Sequence, residues 1–231
     1  MHQPNMPHIT SLILIKKRRQ MKFTKLEHSG CVVEKDGLKI VCDPVEFERG
    51  LPDLENVVAI IITHKHGDHL QLEKLLAVLD KNLEARVFTT EDAIDEIPNS
   101  EVVKTGDVVN VGGFELKFFG ENHAEIVPGK IPCQNIGVVI DGKIVNPGDS
   151  FDIPSNMIHP EILLVPSAAP WCKVAEGMEY IKVVKPKVTV PVHNAVLSEL
   201  GNGFNNNWLR VACEEVGAEL ASLGIGEGVE V

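Results

Sequence analysis

The chain has no cysteine pair at C-x-x-C spacing, no apolar run long enough to span a membrane, no excess of positive charge and no tandem repeat. Each absence removes a class of protein. Cys31, Cys42, Cys133, Cys172 and Cys213 are odd in number and widely spread. That excludes a disulfide framework and suggests reduced thiols in a cytoplasmic protein. Cys31, Cys42 and Cys213 lie in apolar patterns and read as core; Cys133 and Cys172 lie in loop-like sequence, where a place near a site stays open.

The net charge is −11. Lys16, Lys17, Arg18 and Arg19 stand in a stretch without acidic residues, so the remainder is more acidic still. Nucleic-acid and anionic-membrane affinity come largely from cationic groups, so this balance argues against both as partners. Ile13-Leu14-Ile15 is short and precedes its basic residues, the reverse of a secretory signal. Residues 1–20 read as a disordered extension, or as sequence ahead of a natural start at Met21, and His2 and His8 fall outside any site. No linker or low-complexity tract interrupts residues 21–231, which read as a single domain. Nothing there is long enough for an inserted cap or a nucleic-acid clamp. The apolar content of 44% and charged content of 24% suit a globular chain with a substantial core.

What is present is concentrated histidine. Thr63-His64-Lys65-His66-Gly67-Asp68-His69 places three of the nine histidines within six positions. The uninterrupted apolar run Val57–Ile62 precedes it and reads as a buried strand. The cluster therefore sits at the carboxyl end of a core strand, where α/β architectures bind ligands. Imidazole is a good ligand for zinc and similar ions. In extended backbone His64 and His66 point to one side, and Gly67 permits the bend that redirects Asp68 and His69. A solvated turn would be built from Gly, Asn, Asp, Ser and Pro instead.

Further along, His123 follows a predicted strand at 114–119. Asp149 follows Asn146-Pro147-Gly148, and His193 follows the apolar run Val188–Val192. The motif H-x-H-x-D-H after an apolar strand, with these three residues in this order, resembles the metallo-β-lactamase superfamily. Leu26-Glu27-His28-Ser29-Gly30 and Ile40-Val41-Cys42-Asp43-Pro44 look like the opening hairpin of its small lactonase-like branch, the ascorbate-6-phosphate lactonase-like metal-dependent hydrolases. The resemblance covers about residues 21–231. It implies a four-layer αββα sandwich, two mixed β-sheets flanked by helices.

It also implies a dinuclear centre. His64, His66 and His123 would bind one metal ion and Asp68, His69 and His193 another, with Asp149 bridging both. Asp68 would double as the proton acceptor or water-orienting catalytic group. Asp43 would support the ligand loop from beneath. A shell of histidine and aspartate without thiolate accepts zinc or manganese, and iron as well. The implied reaction is hydrolysis of an ester-type bond (lactone, phosphodiester or thioester) in a small molecule. Two alternatives stay open: a nuclease or phosphodiesterase acting on nucleic acid, and an iron-dependent oxidoreductase on the same fold. Lys130, Asn135, Trp171, Lys173 and Asn194 are substrate-contact candidates by sequence proximity alone. His28 reads equally as a satisfied strand-end residue or as part of the cleft wall.

The remaining elements follow from periodicity and turn chemistry. Asp36-Gly37, Gly112-Gly113 and Asp141-Gly142 mark hairpins. Helices are expected over 70–79 and 173–184, with a short acidic one at 91–96. Asn202-Gly203-Phe204-Asn205-Asn206-Asn207 reads as a loop introducing a last helix over 208–216.

Overall fold

A computed structural model describes residues 20–155 and 159–231. The expectations for residues 1–19, including His2 and His8, lie outside the described residues. The first sheet contains β1 (Met21–Lys25), β2 (Cys31–Lys35), β3 (Leu38–Cys42), β4 (Val57–Ile61), β5 (Arg86–Thr89) and β6 (Ser100–Val102). The second contains β7 (Val108–Val111), β8 (Phe114–Phe119), β9 (Gly137–Ile140), β10 (Ile144–Asn146), β11 (Ile162–Pro166), β12 (Val188–Val192) and β13 (Glu219–Leu220). The last strand, β14 (Gly228–Glu230), returns to the first sheet beside β1, giving the orders β14-β1-β2-β3-β4-β5-β6 and β13-β12-β11-β10-β9-β8-β7. Both sheets are mixed. β3 through β6 run parallel in one, as do β10 through β13 in the other, while the remaining neighbours are antiparallel.

Side-chain alternation divides the apolar residues between the layers. Phe23, Val33, Ile40, Ala59 and Ile61 point from the first sheet into a central core. Phe114, Leu116, Val138, Ile144, Leu164 and Val190 meet them from the second. The intervening residues point outward. Ile60, Ile62 and Val87 pack under α1 (Leu72–Leu79) through Leu75 and Val78. Val139, Val145, Leu163 and Val165 pack under α2 (Val174–Val184) and α3 (Glu199–Val216). Strands covered on both faces explain the continuous apolar runs at 57–62 and 162–165. The result is the αββα sandwich. All five cysteines are free thiols; Cys31, Cys42 and Cys213 are buried. No described helix is long and apolar enough to cross a membrane.

The clearest departure from expectation is α3. It starts at Glu199, not near 208, and runs through Gly201, Gly203 and the asparagines. Ser198 caps it, its Oγ accepting the Gly201 N–H at 3.2 Å. The asparagines, poor helix formers, are tied to the rest of the fold. Asn205 Nδ2 donates to the Ser167 carbonyl and Asn206 Nδ2 to Ser222 Oγ. Tertiary hydrogen bonds thus override local propensity. The expected acidic helix at 91–96 shrinks to a single 3-10 turn, Ile94–Glu96, and Ser100–Val102 adds an edge strand.

Phe114 is fully buried between the sheets. Phe114→Ala should lower unfolding free energy by about 3–5 kcal/mol, as expected for an emptied aromatic site. Urea titration in the presence of chelator measures this without any contribution from bound metal. A change under about 1 kcal/mol would mean that the sheets do not pack as described.

Candidate metal centre

The strands that lead to the candidate ligands share one direction. In the first sheet β1 and β4 run the same way; in the second so do β8, β10 and β12. Each ends at one rim of the sandwich and there delivers a ligand loop: Thr63–His69 after β4, His123 after β8, Asp149 after β10 and His193 after β12. His28, just past β1, arrives at the same place.

A buried frame beneath the rim sets these loops. The Asp43 carboxylate accepts hydrogen bonds from the Thr63 N–H and Thr63 Oγ1, each at 2.8 Å, and lies 2.8 Å from His69 Nδ1. Because a carboxylate only accepts, Nδ1 carries the proton whenever the His69 ring is neutral, and Nε2 then presents a lone pair. The Asp43 backbone is left-handed, with φ 43°. Asn135, a substrate-contact candidate by sequence proximity alone, stands beneath the Asp149 turn. It is fully buried, accepts the Asp149 N–H at 2.9 Å and donates to the Pro147 carbonyl at 2.9 Å. It shapes the turn that presents Asp149. Gly148 in that turn has φ 64°, and an added Cβ would lie 2.3 Å from Asn135 Oδ1.

The structure brings all seven expected ligands together. The ligand atoms of His64, His66 and His123 lie within 4.8 Å of one another; so do those of Asp68, His69 and His193 together with His28, and those of His64, His69 and Asp149. Asp149 stands between the groups. Its Oδ2 is 2.9 Å from His193 Nε2, 3.2 Å from His123 Nε2 and 3.9 Å from His64 Nε2, while Oδ1 is 3.1 Å from His69 Nε2. Nevertheless His28 Nε2, His64 Nε2, His69 Nε2, His193 Nε2 and Asp149 Oδ1 are buried without an aligned hydrogen-bond partner. Buried polar atoms are rarely left so. These atoms aim at shared space, which is the arrangement that divalent cations require. Their chemistry, neutral imidazole and carboxylate, fits as well.

Around the rim the outer ring nitrogens are engaged. His193 Nδ1 is 2.6 Å from the Ala168 carbonyl, and His123 Nδ1 is 2.6 Å from that of Ala124. His64 Nδ1 is 3.1 Å from Thr63 Oγ1, whose own proton goes to Asp43. Cys133 Sγ is 3.4 Å from His66 Nε2, so one loop cysteine does border the centre. Trp171 stands over it, its ring centroid 5.5 Å from that of His123 and 5.9 Å from that of His193. Asp68 is the open member: its side chain is 40% exposed. On its side lies a cleft of about 720 Å³ whose walls include Lys25, His28, Phe47, Arg49 and Asn194. Asn194 is held there by Lys25 Nζ and by its own bond to Asn202. Lys130 and Lys173 are exposed, and Lys173 is occupied at the start of α2.

Electrostatics follow from this crowding. Burial lowers the pKa of His64 and His66 and keeps them neutral, with the neighbouring imidazoles adding to the effect. Burial would raise that of Asp149, but His69, His123 and His193 outweigh it and hold the carboxyl well below the usual range. Asp68 is lowered in the same way: burial opposes, while bonds from His193 and His28 prevail. His69 and His193 go up. Burial opposes the charge on each, but Asp149 and Asp43 raise His69, and Asp149 and Asp68 bring His193 to about 9. Without metal, protons on these rings neutralise the carboxylates.

Two outcomes follow. Metal uptake at pH 7.5 should release protons, because His193 is protonated below about 9 and must become neutral to ligate. The release should shrink as pH rises past that value. Calorimetry in buffers of different ionisation enthalpy reads it directly; heats independent of buffer would contradict it. Asp43→Ala should weaken metal affinity by roughly 10–100-fold, since it frees the His69 ring, while the circular dichroism spectrum is kept.

Known proteins share this chain's family and fold. A family model described as "Beta-lactamase superfamily domain" matches residues 22–193. A protein of Mycobacterium tuberculosis is 27% identical over 190 residues, spanning 80% of this chain and 89% of its own. A UPF0173 metal-dependent hydrolase of Carboxydothermus hydrogenoformans is 29% identical over 201 residues, spanning 75% and 84%. Among solved structures, the metallo hydrolase Igni18 of Ignicoccus hospitalis superposes with a TM-score of 0.69 at 20% identity, covering 92% of this chain and 98% of that one.

Proposed function

We propose, for a chain that belongs to the β-lactamase superfamily and is a metal-dependent hydrolase of the metallo-β-lactamase fold, that it works as a dinuclear hydrolase of ester-type bonds in small molecules. His64, His66 and His123 would hold one ion and Asp68, His69 and His193 the other, with Asp149 shared. The observation that carries this reading is the position of Asp149, whose two oxygens face four imidazole nitrogens belonging to both groups. Zinc or manganese suits the shell best, and iron fits the same donors. Bound there, the ions would supply a water acidic enough to ionise near neutral pH and a Lewis acid for the scissile oxygen.

The protein's own residues do the rest. Asp68, ionised and facing the cleft, accepts the water's hydrogen bond and takes its proton as the nucleophile attacks. Trp171 closes the centre on one side and restricts bulk water. The cleft volume of about 720 Å³ suits a small molecule. Lactones, phosphodiesters and thioesters are all within this chemistry, and the lactonase-like hairpin at 26–44 favours the first. An overall charge of −11 weighs against a nucleic-acid substrate. The five free thiols favour a reducing compartment, the cytoplasm.

His66→Ala and Asp149→Ala should each lose bound metal and lower turnover by at least about a hundredfold, in keeping with several kcal/mol of metal-derived stabilisation. The fold should persist, since the core strands need no ion. Metal analysis, circular dichroism and a panel of lactones, phosphodiesters and thioesters check this together. Full turnover by a chelator-stripped His66→Ala protein would rule the proposal out.

A further inference from the structure

His28 stands among the candidate ligands, yet its hydrogen bonds run opposite to theirs. Its side chain is 1% exposed, and its Nε2 lies within 4.8 Å of the ligand atoms of Asp68, His69 and His193. By position alone it qualifies as an eighth ligand. Its other nitrogen decides otherwise. His28 Nδ1 accepts the Ala195 backbone N–H at 3.3 Å. An acceptor nitrogen has no proton, so the neutral ring carries its hydrogen on Nε2. At His69, His123 and His193 the outer nitrogen instead faces an oxygen that can only accept, so there Nδ1 is protonated and the inner lone pair is free.

From this contrast we infer that His28 is not a metal ligand but a positioning residue, whose Nε2–H donates to Asp68. The nearest carboxylate oxygen, Asp68 Oδ2, is 3.4 Å away and not aligned with the ring N–H as the side chains stand, so the donation needs a small turn of the half-open Asp68 carboxylate. Turning the ring over would offer carbon to both Ala195 and Asp68. Moving the proton to Nδ1 would set two N–H groups against each other. The backbone is fixed as well: His28 has φ 53°, and its carbonyl accepts the His193 N–H at 3.1 Å. His28 therefore faces the same Asp68 oxygen as His193, whose Nε2 lies 3.5 Å from it, and helps hold this open carboxylate at the centre.

This inference rests on the metal reading above, and the test separates the two. In zinc-loaded, 15N-labelled protein, long-range proton–nitrogen correlation should show the hydrogen of His28 on Nε2, and that of His69, His123 and His193 on Nδ1. His28→Phe, which keeps a ring but no donor, should retain the wild-type zinc content while kcat falls roughly 10–100-fold, the range for partners that orient a ligand. His28→Gln, which restores an N–H, should recover part of that loss. A proton on His28 Nδ1, or the loss of one ion per chain in both variants, would overturn the assignment. Wild-type protein that binds no zinc would instead sink the metal centre itself.

Discussion

A buried carboxylate facing four imidazoles is the constraint on which the site depends. Asp149 is 1% exposed, and its carboxylate faces the ring nitrogens of His193, His123 and His69. On three of those rings, His69, His123 and His193, the outward nitrogen already points at an oxygen. Their inner lone pairs therefore converge on the volume that Asp149 also faces. Such a collection repels itself unless something positive joins it. Protons on His69 and His193 serve in the metal-free protein; divalent cations serve better, because each can satisfy several donors at once.

The surrounding fold is what holds so unfavourable an assembly in place. The loops after β4, β10 and β12 issue from strands buried on both faces, so a shift of one of them would drag core side chains with it. The backbone also carries strain at this rim. His28, Asp43 and His193 all adopt left-handed conformations, which cost non-glycine residues of order 1 kcal/mol or more each. Each is bound to the others' surroundings, as when the His193 N–H meets the His28 carbonyl and Asp43 meets His69.

The sequence made the centre legible because its ligands are punctuation. Polar residues that end apolar strands stand out, and His64, His66, Asp68, His69, His123, Asp149 and His193 all do. The sandwich was readable for the same reason, through hairpin turns and doubly buried strands. Two kinds of feature stayed hidden. The start of α3 depends on bonds from Asn205 and Asn206 to distant partners, while locally those residues signal a loop. The roles of His28 and Asn135 depend on which atom faces which. His28 is defined by Ala195, which lies 167 residues away, and Asn135 by the Asp149 turn. Residue type shows that a group can bond, but not to what.

Chemistry and selectivity are therefore built from different parts of the chain. The candidate metal ligands hang from strand ends that the core holds rigid. The cleft beside Asp68 is walled largely by loops, and these are tied down by single buried anchors. Glu27, itself buried, accepts the backbone N–H groups of Phe47, Glu48 and Arg49 and so pins that wall. Lys25, 3% exposed, bonds the carbonyls of Leu26 and His28 and the side chain of Asn194, joining the opposite wall to the first strand. Burial lowers the Lys25 pKa to about 8, which marks how far its ammonium has been withdrawn from water. The anchors Lys25 and Glu27 line the cleft floor with their buried side chains, beside Phe47, Arg49 and Asn194. Changing Phe47, Arg49 or Asn194 would alter what fits the cleft without touching a candidate ligand.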